Sequence, residues 1–93
     1  MPVYMVSYDI PEDNQSYKEL TKFLKEQLKA KTVLESQWLF NHEGDADKLM
    51  VILRTITQKD DLLMVQEVTL NTAFDNTLLS EDEILALFET ARE

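Results

Sequence analysis

Between Val3 and Ile10 the chain reads Val-Tyr-Met-Val-Ser-Tyr-Asp-Ile, and Pro11 closes the run. Strand side chains alternate between two faces, and here valine, tyrosine and methionine occupy both sets of positions. Such a strand suits the middle of a sheet packed on both faces. Proline donates nothing to a sheet ladder, so the strand ends before it. Asp9 therefore stands at the C-terminal tip of a central strand, where sheet proteins often place their chemistry. It is the first candidate for an active-site residue.

Periodicity organises the rest of the chain. Tyr17 to Leu28 reads as a helix with Tyr17, Leu20, Leu24 and Leu28 on one stripe and Phe23 at its edge, capped by Asn14 or Ser16. Thr32 to Phe40 is rich in β-branched and aromatic residues and reads as one long strand, or as two short ones bent near Glu35-Ser36. Asn41-His42-Glu43-Gly44 is a turn. Asp45 caps a second helix running to about Thr57, with Leu49, Ile52, Leu53 and Ile56 as its buried stripe. Leu62 to Val68 is another strand. Beyond Leu70 the pattern weakens, although Ala73, Phe74, Leu78 and Leu79 are apolar enough to dock. Ser80-Glu81-Asp82-Glu83 is a capping box opening a last helix with Ile84, Leu87, Phe88 and Ala91 on one face.

The order strand–helix–strand(s)–helix–strand is that of an α+β, ferredoxin-like βαββαβ sandwich, an antiparallel sheet with helices on one face. An extra C-terminal helix follows. The open sheet face needs a cover, which is either a second copy or that helix. Ninety-three residues make one domain, 1–93, with a core over about 3–68 and an extension over about 70–93. A 44% hydrophobic content with Trp38, four Phe and three Tyr describes a folded globule.

Composition removes most enzyme classes. There is no cysteine, hence no disulfide, thiolate zinc site or cysteine nucleophile, and a single histidine rules out a histidine-pair metal site. No glycine-rich phosphate loop, nucleophile elbow or dinucleotide fingerprint occurs. The apolar runs fall short of a membrane span and no signal peptide precedes Asp9, so a soluble cytoplasmic protein is expected. The net charge of −9 is uneven: residues 1–41 carry five Lys against six acids, residues 42–93 four basic residues against twelve acids. Such a surface repels a nucleic-acid backbone over most of its extent and suits a basic protein partner.

Four segments together resemble the small CRISPR-associated Cas-two family: the opening Val-Tyr-Met-Val-Ser-Tyr-Asp-Ile-Pro-Glu-Asp, Tyr17-Lys18-Glu19-Leu20 with Phe23-Leu24, Glu35-Ser36-Gln37-Trp38, and Asp61-Leu62-Leu63-Met64-Val65. The similarity covers roughly residues 3–68, and virulence-associated protein D toxins share the fold and this kind of beginning. The resemblance implies a ferredoxin-like homodimer in which Asp9 matches the family's metal-binding aspartate and pairs with its symmetry mate. The pair would hold Mg²⁺ or Mn²⁺ for cleavage of RNA or DNA, although many members are non-catalytic scaffolds. DNA-holding members are basic, whereas this chain has only Arg54 and Arg92 as arginines. It reads as a divergent, stand-alone relative.

Each candidate has a plain structural alternative. Asp9 binds metal with help from a second subunit, from Glu12 and Asp13, or from substrate; otherwise it caps the turn before the first helix. Ser36 positions a water or phosphate, or bonds its own backbone at a strand bend. Trp38 and Phe40 share a face and either stack bases or fill the core. His42 is a solvated turn residue. Lys18, Lys22, Lys25 and Lys29 fall within an arc of roughly 60° on the first helix, a ridge able to touch phosphates or an acidic partner. The ordinary alternative for that ridge is a solvated helix flank.

Overall fold

Which face each residue of the first strand takes decides the architecture. The computed structural model describes residues 1–91: β1 (Val3–Asp9), α1 (Gln15–Glu26), β2 (Lys31–Leu34), β3 (Gln37–Asn41), α2 (Ala46–Arg54), β4 (Leu62–Val68) and α3 (Glu81–Ala91). The four strands form one antiparallel sheet in the order β2-β3-β1-β4, with β1 paired on both sides. The chain is thus an α+β protein with three helices, compatible with the ferredoxin-like arrangement. The bend at Glu35-Ser36 is a turn, so the ambiguous segment is two strands.

Tyr4, Val6 and Tyr8 point to one face, where they pack with Trp38 and Phe40 of β3 against Leu20 and Leu24 of α1 and Leu49 and Leu53 of α2. Val3 and Met5 point the other way, toward Val33, Leu39 and Val68, and this second core is closed by Leu79, Ile84 and Phe88. The helices therefore do not all lie on one face: α3 covers the side that α1 and α2 leave open. Burying full Leu and Phe side chains contributes about 1.5–3 kcal/mol each before ordering costs. Two such layers meet on β1.

Helix ends follow the local chemistry. Asn14 Oδ1 accepts the Ser16 N–H at 2.9 Å, and Asp45 Oδ1 accepts the Lys48 N–H at 2.8 Å, so both helices start on side-chain caps. At Ser80 the hydroxyl donates to the Glu83 carboxylate at 3.0 Å while accepting the Glu83 N–H, and Lys31 Nζ reaches the same carboxylate at 3.2 Å. The Ser80 bond, followed by that of Lys31, holds the Glu83 carboxyl below its ordinary value. α1 ends earlier than its apolar stripe suggests. Lys29 takes a left-handed φ of 53°, and the Ala30 N–H turns back to the Leu24 carbonyl at 2.8 Å. α2 likewise stops at Arg54 instead of near Thr57, where the Thr55 and Thr57 hydroxyls bond the Ile52 and Leu53 carbonyls.

Some expected core positions face solvent. Ile52 is 41% exposed, so the inner stripe of α2 is Leu49 and Leu53, and Ile56 packs against the same core from the turn after the helix. After β4 only Phe74 and Leu79 dock, whereas Ala73 and Leu78 are exposed. The Leu78 N–H nevertheless donates to the Val33 carbonyl at 3.0 Å, which occupies a bonding position on the outer edge of β2. His42 is half-buried rather than solvated, edge-on to the Tyr4 and Phe40 rings at 6.3 Å. Gly44 beside it has a φ of 108°, which suits glycine, and its carbonyl accepts the Tyr4 hydroxyl at 2.8 Å. Among the described residues no helix is long and apolar enough to cross a membrane.

Because Leu53 is fully buried and Val51 is 68% exposed on the same helix, the two test the assignment of faces. Urea unfolding of Leu53→Ala should show a loss of about 2–5 kcal/mol, and Val51→Ala a change within about 0.5 kcal/mol.

Candidate functional site

Alternation along β1 puts Val3, Met5, Ser7 and Asp9 on the face that α3 covers, but α3 reaches only the Val3 end. Asp9 pairs with Leu62 and Ser7 with Met64 across β4, while Gln37 of β3 pairs with Ser7 and with Leu34 of β2. These residues form a band across the sheet that nothing in the chain covers fully. Leu62 is 61% exposed, Met64 59% and Leu34 48%, and Asp9 is exposed among them. The middle of the band is polar, with Gln37 Nε2 donating to the Ser7 hydroxyl at 3.1 Å.

The Asp9 carboxylate makes no hydrogen bond or ion pair among the described residues. It does not cap the turn before α1, since Asn14 does so. Ser36 lies at the same end of the sheet: its carbonyl accepts the Tyr8 N–H at 3.2 Å, one residue from Asp9. The structure therefore brings Asp9 and Ser36 to one sheet end. Glu12 and Asp13 follow in the exposed turn. Asp61, the acid before β4, is buried and structural. Its Oδ2 accepts the Gln58 N–H at 2.7 Å, and Arg54 braces the same turn through the Gln58 and Asp61 carbonyls at 2.8 and 3.0 Å.

The lysines go elsewhere. α1 packs on the opposite face of the sheet, so Lys18, Lys22 and Lys25 are separated from Asp9 by the sheet itself. Lys29 has left the helix altogether. Lys22 and Lys25 instead rim an open groove of about 590 Å³, with Tyr17, Thr21, Glu26 and the edge of Trp38. Trp38 and Phe40 are core residues and offer no free ring face. Below the groove Trp38 Nε1 donates to the Tyr8 hydroxyl at 2.9 Å, and the Tyr17 ring stands edge-on to Tyr8 at 5.9 Å. Burial pushes the Tyr8 hydroxyl above its ordinary value against the opposing pull of the Trp38 bond, and Tyr17 adds to the rise.

A divalent metal is the group that the family resemblance implies, and one copy of the chain does not fit it alone. Among the described residues no three His, Cys, Asp or Glu side chains converge on a metal-sized site, and no buried side-chain polar atom lacks a partner. Reading the chain as a sequence missed the exposure of Leu62 and Met64. Their near-continuous apolar run signals a strand buried on both faces, and only the short reach of α3 leaves them bare.

Two outcomes test these assignments. Asp9→Ala should change unfolding free energy by less than about 0.5 kcal/mol, whereas Asp61→Ala should cost about 1–3 kcal/mol by orphaning the Gln58 N–H. The raised Tyr8 value means that the folded chain keeps this proton longer than the unfolded one. That stability is fully present below the ordinary value of 10.0 and is lost as pH rises through the folded value. Urea midpoints should fall more steeply above pH 10 for wild type than for Tyr8→Phe. Compared with protein-family models, curated proteins and solved structures, the chain matches none, and the chemistry open to it is that of the residues just described.

Proposed function

We propose that this chain is a homodimeric, ferredoxin-like relative of the Cas-two family. In this reading the two Asp9 carboxylates meet at the dimer interface and together hold Mg²⁺ or Mn²⁺ for endonucleolytic cleavage of RNA or DNA. The observation that carries it is Asp9 itself: an exposed carboxylate without a partner, set at the end of β1 inside a band of exposed Leu34, Leu62 and Met64. Asp45 and Asp61, by contrast, are each held by a backbone N–H. The strand order β2-β3-β1-β4 supports the ferredoxin-like name.

A divalent ion bound there supplies Lewis-acid stabilisation of charge developing on phosphate and eases ionisation of bound water. Each copy of the chain would hold the ion through one carboxylate, that of Asp9. Ser36 sits at the same sheet end with a hydroxyl that makes no hydrogen bond among the described residues, available to orient a phosphate oxygen or water. Lys18, Lys22 and Lys25, on the far side of the sheet, take no part in cleavage and guide a polyanion only at longer range.

A second reading is a non-catalytic dimeric module that meets a basic partner through the acidic residues of 42–93. The specific observation favouring it is the excess of twelve acids over four basic residues there. Assays of wild type and Asp9→Ala on single-stranded RNA and on duplex DNA, with Mg²⁺, with Mn²⁺ and with chelator, separate the two. The nuclease reading expects metal-dependent cleavage that Asp9→Ala lowers by roughly a hundredfold or more. Cleavage indifferent to the substitution overturns the role of Asp9. No cleavage by either protein favours the binding module.

A further inference from the structure

We propose that the cleft between the sheet and the segment joining β4 to α3 binds a small arylalkylammonium ion, its ring held by Phe74 and Phe88 and its charge by Asp75. The cleft has a volume of about 240 Å³, and neither Asp9 nor Ser36 lines it. The site therefore stands apart from the metal reading above.

Three parts of the fold build the cleft. The sheet supplies Met5, Leu39 and Val68, α3 supplies Phe88, and the connecting segment supplies Phe74 and Asp75. That segment is fastened at both ends: Val68 pairs with Val3 in the sheet, and the Leu78 N–H donates to the Val33 carbonyl at 3.0 Å. Asn76 turns the chain after Asp75 with a left-handed φ of 52°, which asparagine tolerates better than most residues. A wall fixed in this way needs little ordering when a ligand enters. The open groove beside α1 is larger but mixes Lys22, Lys25 and Glu26 at its rim, so it selects no one sign of charge.

The lining selects the ligand. Among the described residues no Lys, Arg or His lines the cleft, and Asp75 is its one charged side chain. The Asp75 carboxylate makes no hydrogen bond or ion pair among the described residues. The other polar lining side chains already donate elsewhere. The Thr72 hydroxyl donates to the Thr69 carbonyl and the Thr77 hydroxyl to the Leu79 carbonyl, both at 2.6 Å, and Gln37 Nε2 donates to the Ser7 hydroxyl at 3.1 Å. What remains is chiefly oxygen that accepts. A protonated amine carries only donors and meets this lining well, whereas a carboxylate would face Asp75 with no cation beside it. The Phe74 and Phe88 rings and the Met5 thioether suit an aromatic body, and ring faces attract a nearby cation. Size limits that body to one ring, because 240 Å³ is about eight waters by volume. A net charge of −9 draws cations to the molecule as a whole.

Amide chemical shifts of the isotope-labelled full chain, titrated in chelator, test the site with three probes of similar size: phenethylammonium, phenethyl alcohol and phenylacetate. Chelator keeps any divalent metal at Asp9 out of the result. Phenethylammonium should saturate with a Kd of about 0.1–1 mM, and the shifts should gather at Met5, Leu39, Val68 and residues 72–77. Phenethyl alcohol should bind about three- to tenfold more weakly, and phenylacetate at least about tenfold more weakly. Asp75 is exposed, so its variants should keep the wild-type fold. Asp75→Asn should bring phenethylammonium down to the affinity of phenethyl alcohol, whose own binding should not change. Asp75→Lys should reverse the order, with phenylacetate the tighter of the two charged probes. No saturable shift from any probe overturns the site. Shifts gathered instead at Tyr17, Thr21 and Trp38 overturn its location. Equal affinities for the three probes, or an Asp75→Asn protein that weakens all three alike, overturn the charge selection by Asp75.

Discussion

Everything in this structure hangs on the alternation of side chains along β1. Its odd and even residues serve different cores, and the strand can do so only because β3 and β4 satisfy its backbone on both sides. Tyr4, Val6 and Tyr8 anchor the layer under α1 and α2, while Val3 and Met5 anchor the layer under α3. A slip of one residue would exchange these sets and bury Asp9 among the α1 and α2 residues. The exposure of Asp9 is thus a product of register. It is held by the same pairing that forms the hydrophobic layers.

Much of the fold was legible in the sequence because its signals are local. The β4 strand runs from Leu62 to Val68 as its apolar composition indicates, and the caps at Asp45 and Ser80 act where hydroxyl and carboxylate chemistry would have them act. What was not legible depends on distant partners. The inward stripe of α2 omits Ile52, which is exposed while Leu49 and Leu53 on the same helix are fully buried. Lys29 leaves α1 through a left-handed residue, a departure with no glycine to announce it. Of the covers expected for the open face, α3 is present over one end and leaves the other bare.

The candidate site shows the same division. That Asp9 ends a central strand follows from residues 3–11 alone, and Ser36 does lie near it. That the lysines lie behind the sheet could not be read from their helical spacing, which fixes their relation to one another and says nothing of β1. Asp61 illustrates the converse. Its place before a strand resembles a site residue, yet it is consumed by the Gln58 amide in a turn that Arg54 also braces. A carboxylate is free for chemistry only when the backbone has not already claimed it.

The bond from the Leu78 N–H to the Val33 carbonyl has a bearing on assembly by strand addition. An open sheet presents two edges, and a chain able to add at both can propagate into a filament. Here the β2 edge is partly spoken for by the chain's own return segment, leaving β4 as the long free margin. Growth from a single margin closes after one addition when the newcomer is another copy. The molecule has, in effect, a front and a stopper, and this asymmetry favours finite complexes over fibres.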